Sequence, residues 1–250
     1  MPLRLLPATG ALPVWRRAGI RALEARLQAA SPTPLMDLAG LATARLALAV
    51  APHARRIWVA AGPGNNGGDG LEAALHLHRW GLAVQVSLLA DLRQLPADAR
   101  RALERARESG VTIDAGLPTS LSDLDPQDLC IDALLGIGAS RAPQGPLLQA
   151  INLINASPAR VLAIDVPSGL DADSGQRLGA CVQANHTLTM LGAKPGLLMG
   201  HGRDVCGTLW LDTLGLPDEA TAWQTPDAQL NPLTQTTPRR HAGHKGSHGD

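Results

Sequence analysis

The chain has 250 residues, Lys plus Arg balances Asp plus Glu at 22 each, and apolar residues make up 45% of it. That is enough to bury a core without disulfides or metals, while length alone leaves one domain or two open. With no net charge and neither Tyr nor Phe, there is no basic field for a phosphate backbone and little aromatic surface for stacking bases, so nucleic-acid binding is set aside.

Cys130, Cys181 and Cys206 are odd in number, widely spaced and outside any C-x-x-C, which argues against a disulfide framework or zinc site and fits a reducing compartment. Arg4, Arg16, Arg17 and Arg21 precede the first acid, Glu24, but no signal-like apolar core accompanies them, and no stretch has the length of a membrane span. A cytoplasmic protein without a membrane partner is the expectation.

In chain order, Val14 to Ala30 carries Ile20, Leu23 and Leu27 at helical spacing, and Pro32 and Pro34 break it. "PLMDLAGLATARLALAV" from Pro34 reads as a second, more buried helix. "RIWVAA" from Arg56 is a strand, and a helix over Leu71 to Trp80 closes at Gly81. Then come the strand "AVQVSLLA", the helix "PADARRALERARESG", the strands "VTIDA" and "LCIDALLG", the helix "PLLQAINLINA" and the strand "RVLAIDV". "HTLTMLGA" and "GTLWLDT" are later strand candidates. Alternating strands and helices predict an α/β three-layer sandwich, a mostly parallel sheet with helices on both faces. From Pro217 the composition turns to Thr, Gln, Pro and Asp without periodicity, as in a linker.

Parallel sheets bind ligands beyond the carboxyl ends of their strands, which selects the segments after Ala61, Ile131 and Ile164. The first, "GPGNNGGDG", satisfies G-x-G-x-x-G, yet no Lys-Ser or Lys-Thr follows as in a phosphate-binding Walker loop. A strand, glycines and a helix start suit an anion. Asp69 does not: two like unit charges about 4 Å apart cost ~1 kcal/mol in water and ~4 kcal/mol when partly buried. Asp69 must therefore turn away, bind hydroxyls or N–H groups, or share a cation with the ligand. The alternative for Asn65, Asn66 and Asp69 is a role as helix caps and turn formers only. The other strand ends add Asp132, and Asp165 with Ser168. Oxygens from Asn, Asp and Ser around two glycine turns are what hard cations require.

These segments, with "GAKPGLLMGHGRDVCG" and "LMDLAG", resemble the YjeF N-terminal domain family of NAD(P)HX epimerases, in consistent order from about Ala11 to Leu216. Asp37 stands where that family typically has an acid or similar group. The resemblance implies a Rossmann-like fold, a homodimer, and a substrate that is NADH or NADPH hydrated at C6 of the nicotinamide ring. The enzyme would interconvert the R and S forms so that an S-specific, ADP- or ATP-dependent dehydratase can restore the cofactor. It further implies a substrate loop of Asn65, Asn66, Gly67, Gly68 and Asp69, and a second loop of Gly136, Ile137, Gly138, Ala139, Ser140, Arg141 and Ala142. Asp165 would contact substrate and act as the acid–base group, Lys194 would supply positive charge to the phosphates or ring, and Asn66, Asp132 and Ser168 would hold K+.

On the same resemblance, residues 1–216 are the epimerase domain and 217–250 a linker and the start of a truncated, kinase-like dehydratase, entered at "HKGSHGD". His241, His244 and His248 could hold a metal but read better as part of that tail. His76 and His78, two positions apart on one helix, do not share a face. Two other functions compete. A non-catalytic nucleotide-binding or scaffolding module of the same fold need not keep Asn66, Asp132, Asp165 and Ser168 together. A nicotinamide-dependent dehydrogenase would use Asp91 for the ribose and need a separate substrate domain.

Overall fold

A computed structural model describes residues 2–6 and 10–231. β1 (Leu3–Arg4), β2 (Leu12–Val14), α1 (Arg17–Ala30) and α2 (Leu35–Val50) lead into β3 (Arg56–Ala61), α3 (Asn65–Arg79), β4 (Ala83–Leu88), α4 (Ala97–Glu108) and β5 (Thr112–Asp114). β6 (Leu129–Ala133), α5 (Gly145–Ala156), β7 (Arg160–Ile164), β8 (His186–Met190), α6 (Pro195–Leu198), α7 (Gly202–Val205), β9 (Thr208–Asp212), α8 (Ala220–Trp223) and β10 (Ala228–Leu230) complete the order.

The main sheet runs β1-β9-β8-β7-β6-β3-β4-β5. All its pairings are parallel except that of β1 with β9. The strands are apolar on both faces because both are covered. Ile57, Val59 and Ala61 of β3 join one core with residues of α1 to α4, while Trp58 and Ala60 join a second core with Ala150, Ile151 and Ile154 of α5. The three layers anticipated from the sequence are therefore present. From β3 the chain winds outward through β4 and β5, then returns to lay β6 on the other side of β3. This reversal opens a crevice at the carboxyl ends of β3 and β6, the position where such sheets bind ligands.

Three boundaries differ from the sequence reading. The helix anticipated over Leu71 to Trp80 begins at Asn65, so the Asn-Asn-Gly-Gly-Asp stretch is its first turns rather than a free loop. Its glycines, poor helix formers, serve close packing: a Cβ on Gly67 would lie 2.0 Å from the Gly62 carbonyl oxygen, and one on Gly70 would lie 2.5 Å from the Ala133 side chain. The first helix starts at Arg17, because Val14 belongs to β2. Residues 217–231 are part of the fold rather than a linker: β10 pairs with β2, and the Trp15 indole donates to the Gln224 carbonyl at 3.0 Å. His241, His244, His248 and the rest of the suspected dehydratase entry lie outside the described residues. Among those described, no single helix is long and apolar enough to cross a membrane.

Candidate active site

β3, β6, β7 and β8 end along one rim, and the segments that follow them enclose a cleft of about 980 Å³. α3 contributes Asn65, Asn66 and Asp69, and the turn after β6 contributes Leu134 through Gln144. Asp165 follows β7 and Lys194 follows β8, while α1 closes the remaining side with Ile20, Arg21, Glu24 and Gln28.

At the base, Lys194 is fully buried, and its ammonium donates to Asp165 Oδ1 at 2.5 Å, Thr189 Oγ1 at 2.8 Å and the Met190 carbonyl at 2.8 Å. All three ammonium protons are thus committed to Asp165, Thr189 and the Met190 carbonyl, so Lys194 bears on the cleft through the Asp165 carboxylate it holds. Asp165 is placed by an unusual backbone, φ 67°, just after β7, with its N–H bonded to the Leu188 carbonyl at 2.7 Å. Positive φ is uncommon outside glycine and persists where surrounding structure enforces it, often at functional positions. The second Asp165 oxygen accepts the Ile137 N–H at 3.2 Å, which ties the carboxylate to the turn after β6.

Asp132 and Ser168 lie behind this turn. Asp132 is fully buried and accepts the Ser168 hydroxyl at 2.6 Å, the Ser168 N–H at 2.8 Å and the Leu134 N–H at 3.2 Å. Ser168 Oγ accepts the Leu135 N–H at 2.9 Å. A Cβ on the next residue, Gly136, would lie 3.3 Å from both Asn66 Oδ1 and Asp165 Oδ2. The turn Leu134–Gly136 thus gathers Asn66, Asp132 and Ser168 into one neighbourhood. Burial pushes the Asp132 carboxyl up to about 6 against the pull of its hydrogen bonds, and no counter-cation is in contact with it among the described residues. A buried carboxylate without a cation, beside hydroxyl and amide oxygens, suits a hard monovalent ion.

Two acids complete the cleft. Asp69 and Glu24 are partly exposed to it, and both carboxyls are raised above their ordinary values. Burial is the largest cause for each and Asp165 the next; Glu24 and Glu72 also raise Asp69, while Lys194 and Arg21 oppose the rise at Glu24. Glu24 was not singled out in the sequence. Its signal was weak: it follows Leu23 at the edge of the apolar stripe of α1. Gly67 and Gly68 do not line the cleft; they let α3 settle against the Gly62 carbonyl and against Met36 and Ala99. Asp37 points to structure rather than chemistry, pairing with Arg105 at 2.7 Å and Arg101 at 3.6 Å, while Arg105 also reaches the buried Glu72 at 3.0 Å.

The family model "YjeF-related protein N-terminus" matches residues 32–196, which span the second helix, the crevice and Lys194. The chain belongs to this family. It is 39% identical over 219 residues to the "Bifunctional NAD(P)H-hydrate repair enzyme Nnr" of Escherichia coli, covering 86% of this chain and 42% of that protein. It is 45% identical over 187 residues to the "NAD(P)H-hydrate epimerase" of Achromobacter xylosoxidans, covering 73% of this chain and 86% of the relative. The chain therefore spans less than half the length of the bifunctional YjeF relative and most of the shorter one. The crystal structure of yeast ynu0 superposes with a TM-score of 0.70 at 21% identity, over 90% of this chain and 97% of that one, and shares the fold.

Proposed function

We propose that this YjeF-family chain is an isomerase that interconverts the R and S forms of hydrated NADH and NADPH at C6 of the nicotinamide ring, an epimerase step of cofactor repair. The observation that carries it is the Lys194–Asp165 pair at the base of a dinucleotide-sized cleft, held rigid by Thr189, the Met190 carbonyl and the Ile137 N–H. The names of the relatives support the substrate.

The chemistry follows from the groups present. When the C6–O bond breaks, its electron pair leaves on oxygen while the ring-nitrogen lone pair forms the C6=N bond. Asp165 relays a proton from the Lys194 ammonium to the departing oxygen, leaving Lys194 as the neutral amine, and the pair is restored when Asp165 takes a proton from the water that adds to the opposite face and returns it to Lys194. One water is released and one consumed. The ring is cationic between the two events, and the surplus of carboxylate around it, Glu24 and Asp69 beside Asp165, favours that charge. Asn66, Asp132 and Ser168 would hold K+, whose charge keeps the buried Asp132 ionised and lessens repulsion between the acidic wall and the substrate phosphates. Asn65 and the Gly136–Ala142 turn border the space where the dinucleotide lies.

The same proposal includes assembly as a homodimer, a cytoplasmic setting, and an ADP- or ATP-dependent dehydratase as partner, the last supported by the bifunctional names of the longer relatives. Asp165→Asn tests the chemistry. With R and S forms separated by chromatography, the variant is expected to lose epimerisation by at least ~10²-fold, in line with general acid–base contributions, while dinucleotide still binds. A variant as fast as the wild type would remove Asp165 from the mechanism.

A further inference from the structure

Three cations and four carboxylates line the cleft: Arg21, Arg141 and Lys194 against Glu24, Asp69, Asp98 and Asp165. A dinucleotide brings at least two phosphate charges, and with Lys194 saturated by its three acceptors the positive side-chain charge available to them, beside any K+ at the base, lies in the two arginines. Among the described residues, neither guanidinium makes a hydrogen bond or a contact ion pair. The two approach the opening from different elements. Arg141 belongs to the turn after β6. Arg21 extends from α1, and its Nη2 stands 3.7 Å from where a Cβ on Gly138 would lie. Arg21 therefore reaches across to the very turn that carries Arg141, and Gly138, lacking a side chain, leaves the guanidinium face open.

We propose that Arg21, together with Arg141 of the turn it reaches, is a phosphate clamp at the mouth of the cleft, and that Arg21 is a specificity residue for the phosphorylated portion of the substrate. The assignment rests on the epimerase reading and deepens it. Charge separates the cleft into two zones. Glu24, Asp69 and Asp165 crowd the base, where a phosphate would be repelled and a transiently cationic ring favoured. The arginines hold the mouth, where a planar five-donor fork suits phosphate oxygens. The start of α3 offers further N–H groups to an anion, but it carries no formal charge and has Asp69 one turn on. The substrate is thus oriented with its ring toward Asp165 and its phosphates outward. Two phosphates can supply the anion, the pyrophosphate common to both substrates or the 2′-phosphate of NADPHX alone.

Arg21→Ala, Arg21→Lys and Arg21→Glu separate the cases, because Arg21 is exposed and its replacement leaves the core intact. R-to-S epimerisation of NADHX and NADPHX is followed for each, and binding of the unreactive NAD+ and NADP+ is measured by calorimetry. Loss of a charge-assisted contact predicts a KM about 10- to 100-fold higher in Arg21→Ala. Arg21→Lys should recover part of this and Arg21→Glu exceed it, with kcat changing far less and the salt dependence of KM becoming shallower. An equal rise for both substrates assigns Arg21 to the pyrophosphate, and a rise confined to NADPHX assigns it to the 2′-phosphate. Unchanged KM and unchanged nucleotide binding in Arg21→Glu would overturn the clamp. A wild type that does not epimerise, yet binds NADP+ more tightly than Arg21→Glu does, would overturn the epimerase reading and leave the clamp standing.

Discussion

At the scale of single residues, the acidic base of the cleft has a thermodynamic consequence. Burial and then Asp165 raise Glu24 and Asp69 above their ordinary values of 4.5 and 3.8. The folded chain thus holds these protons more tightly than the unfolded one. The stabilisation this brings is complete below the ordinary values and is lost as pH rises through the raised ones. Above the ordinary values the unfolded chain gives up these protons more readily than the folded one, so both groups cost the fold stability as pH rises toward 8. Glu24→Gln and Asp69→Asn should therefore unfold a few degrees above the wild type at pH 8, with the gap closing toward about pH 4, while both lose epimerisation rate. Thermal melts across that range check it, and a variant less stable than the wild type at pH 8 would contradict it. Asp132, Asp165, Ser168 and Lys194 were legible because Asp132 lies at the end of its strand and the other three closely follow theirs. Glu24 was not, since its partners lie far along the chain and only the packing of α1 brings them together.

At the scale of elements, the glycines after β3 set how closely α3 and the turn after β6 approach. A Cβ on Gly62 would lie 1.8 Å from the Leu134 carbonyl oxygen, which cannot move without displacing the amides that hold Ser168 and Asp165. Gly62→Ala should thus destabilise by about 1–3 kcal/mol, as overpacking commonly does, and disable the site. Gly116→Ala, with nothing within 4 Å of the added methyl, should change stability little. Denaturant melts of the two, side by side, distinguish local crowding from a general need for glycine; equal effects would refute it. The apolar strand runs were readable because a sheet covered on both faces demands them. The early start of α3 was not, because propensity opposes a helix of glycines and only close packing permits it. Strands as short as β1 and β10 carry no periodicity to read.

At the scale of the whole molecule, topology does most of the positioning. The reversal of strand order between β3 and β6 opens the crevice, and four strand ends deliver oxygens and one ammonium to its rim. α1, bordering the same cleft, is anchored by the Arg17 ion pair with Asp171 at 2.9 Å and by β10 pairing with β2 just before it. The alternation of strands and helices made this architecture legible, but the return of residues 217–231 onto β2 was hidden by their polar, aperiodic composition. If the assembled rim is a catalytic site seated on an alkali cation, pure R-NADPHX supplied with excess S-specific dehydratase will be restored faster than by spontaneous epimerisation, and faster in potassium than in potassium-free buffer. Restoration at the uncatalysed rate in both buffers would contradict the account.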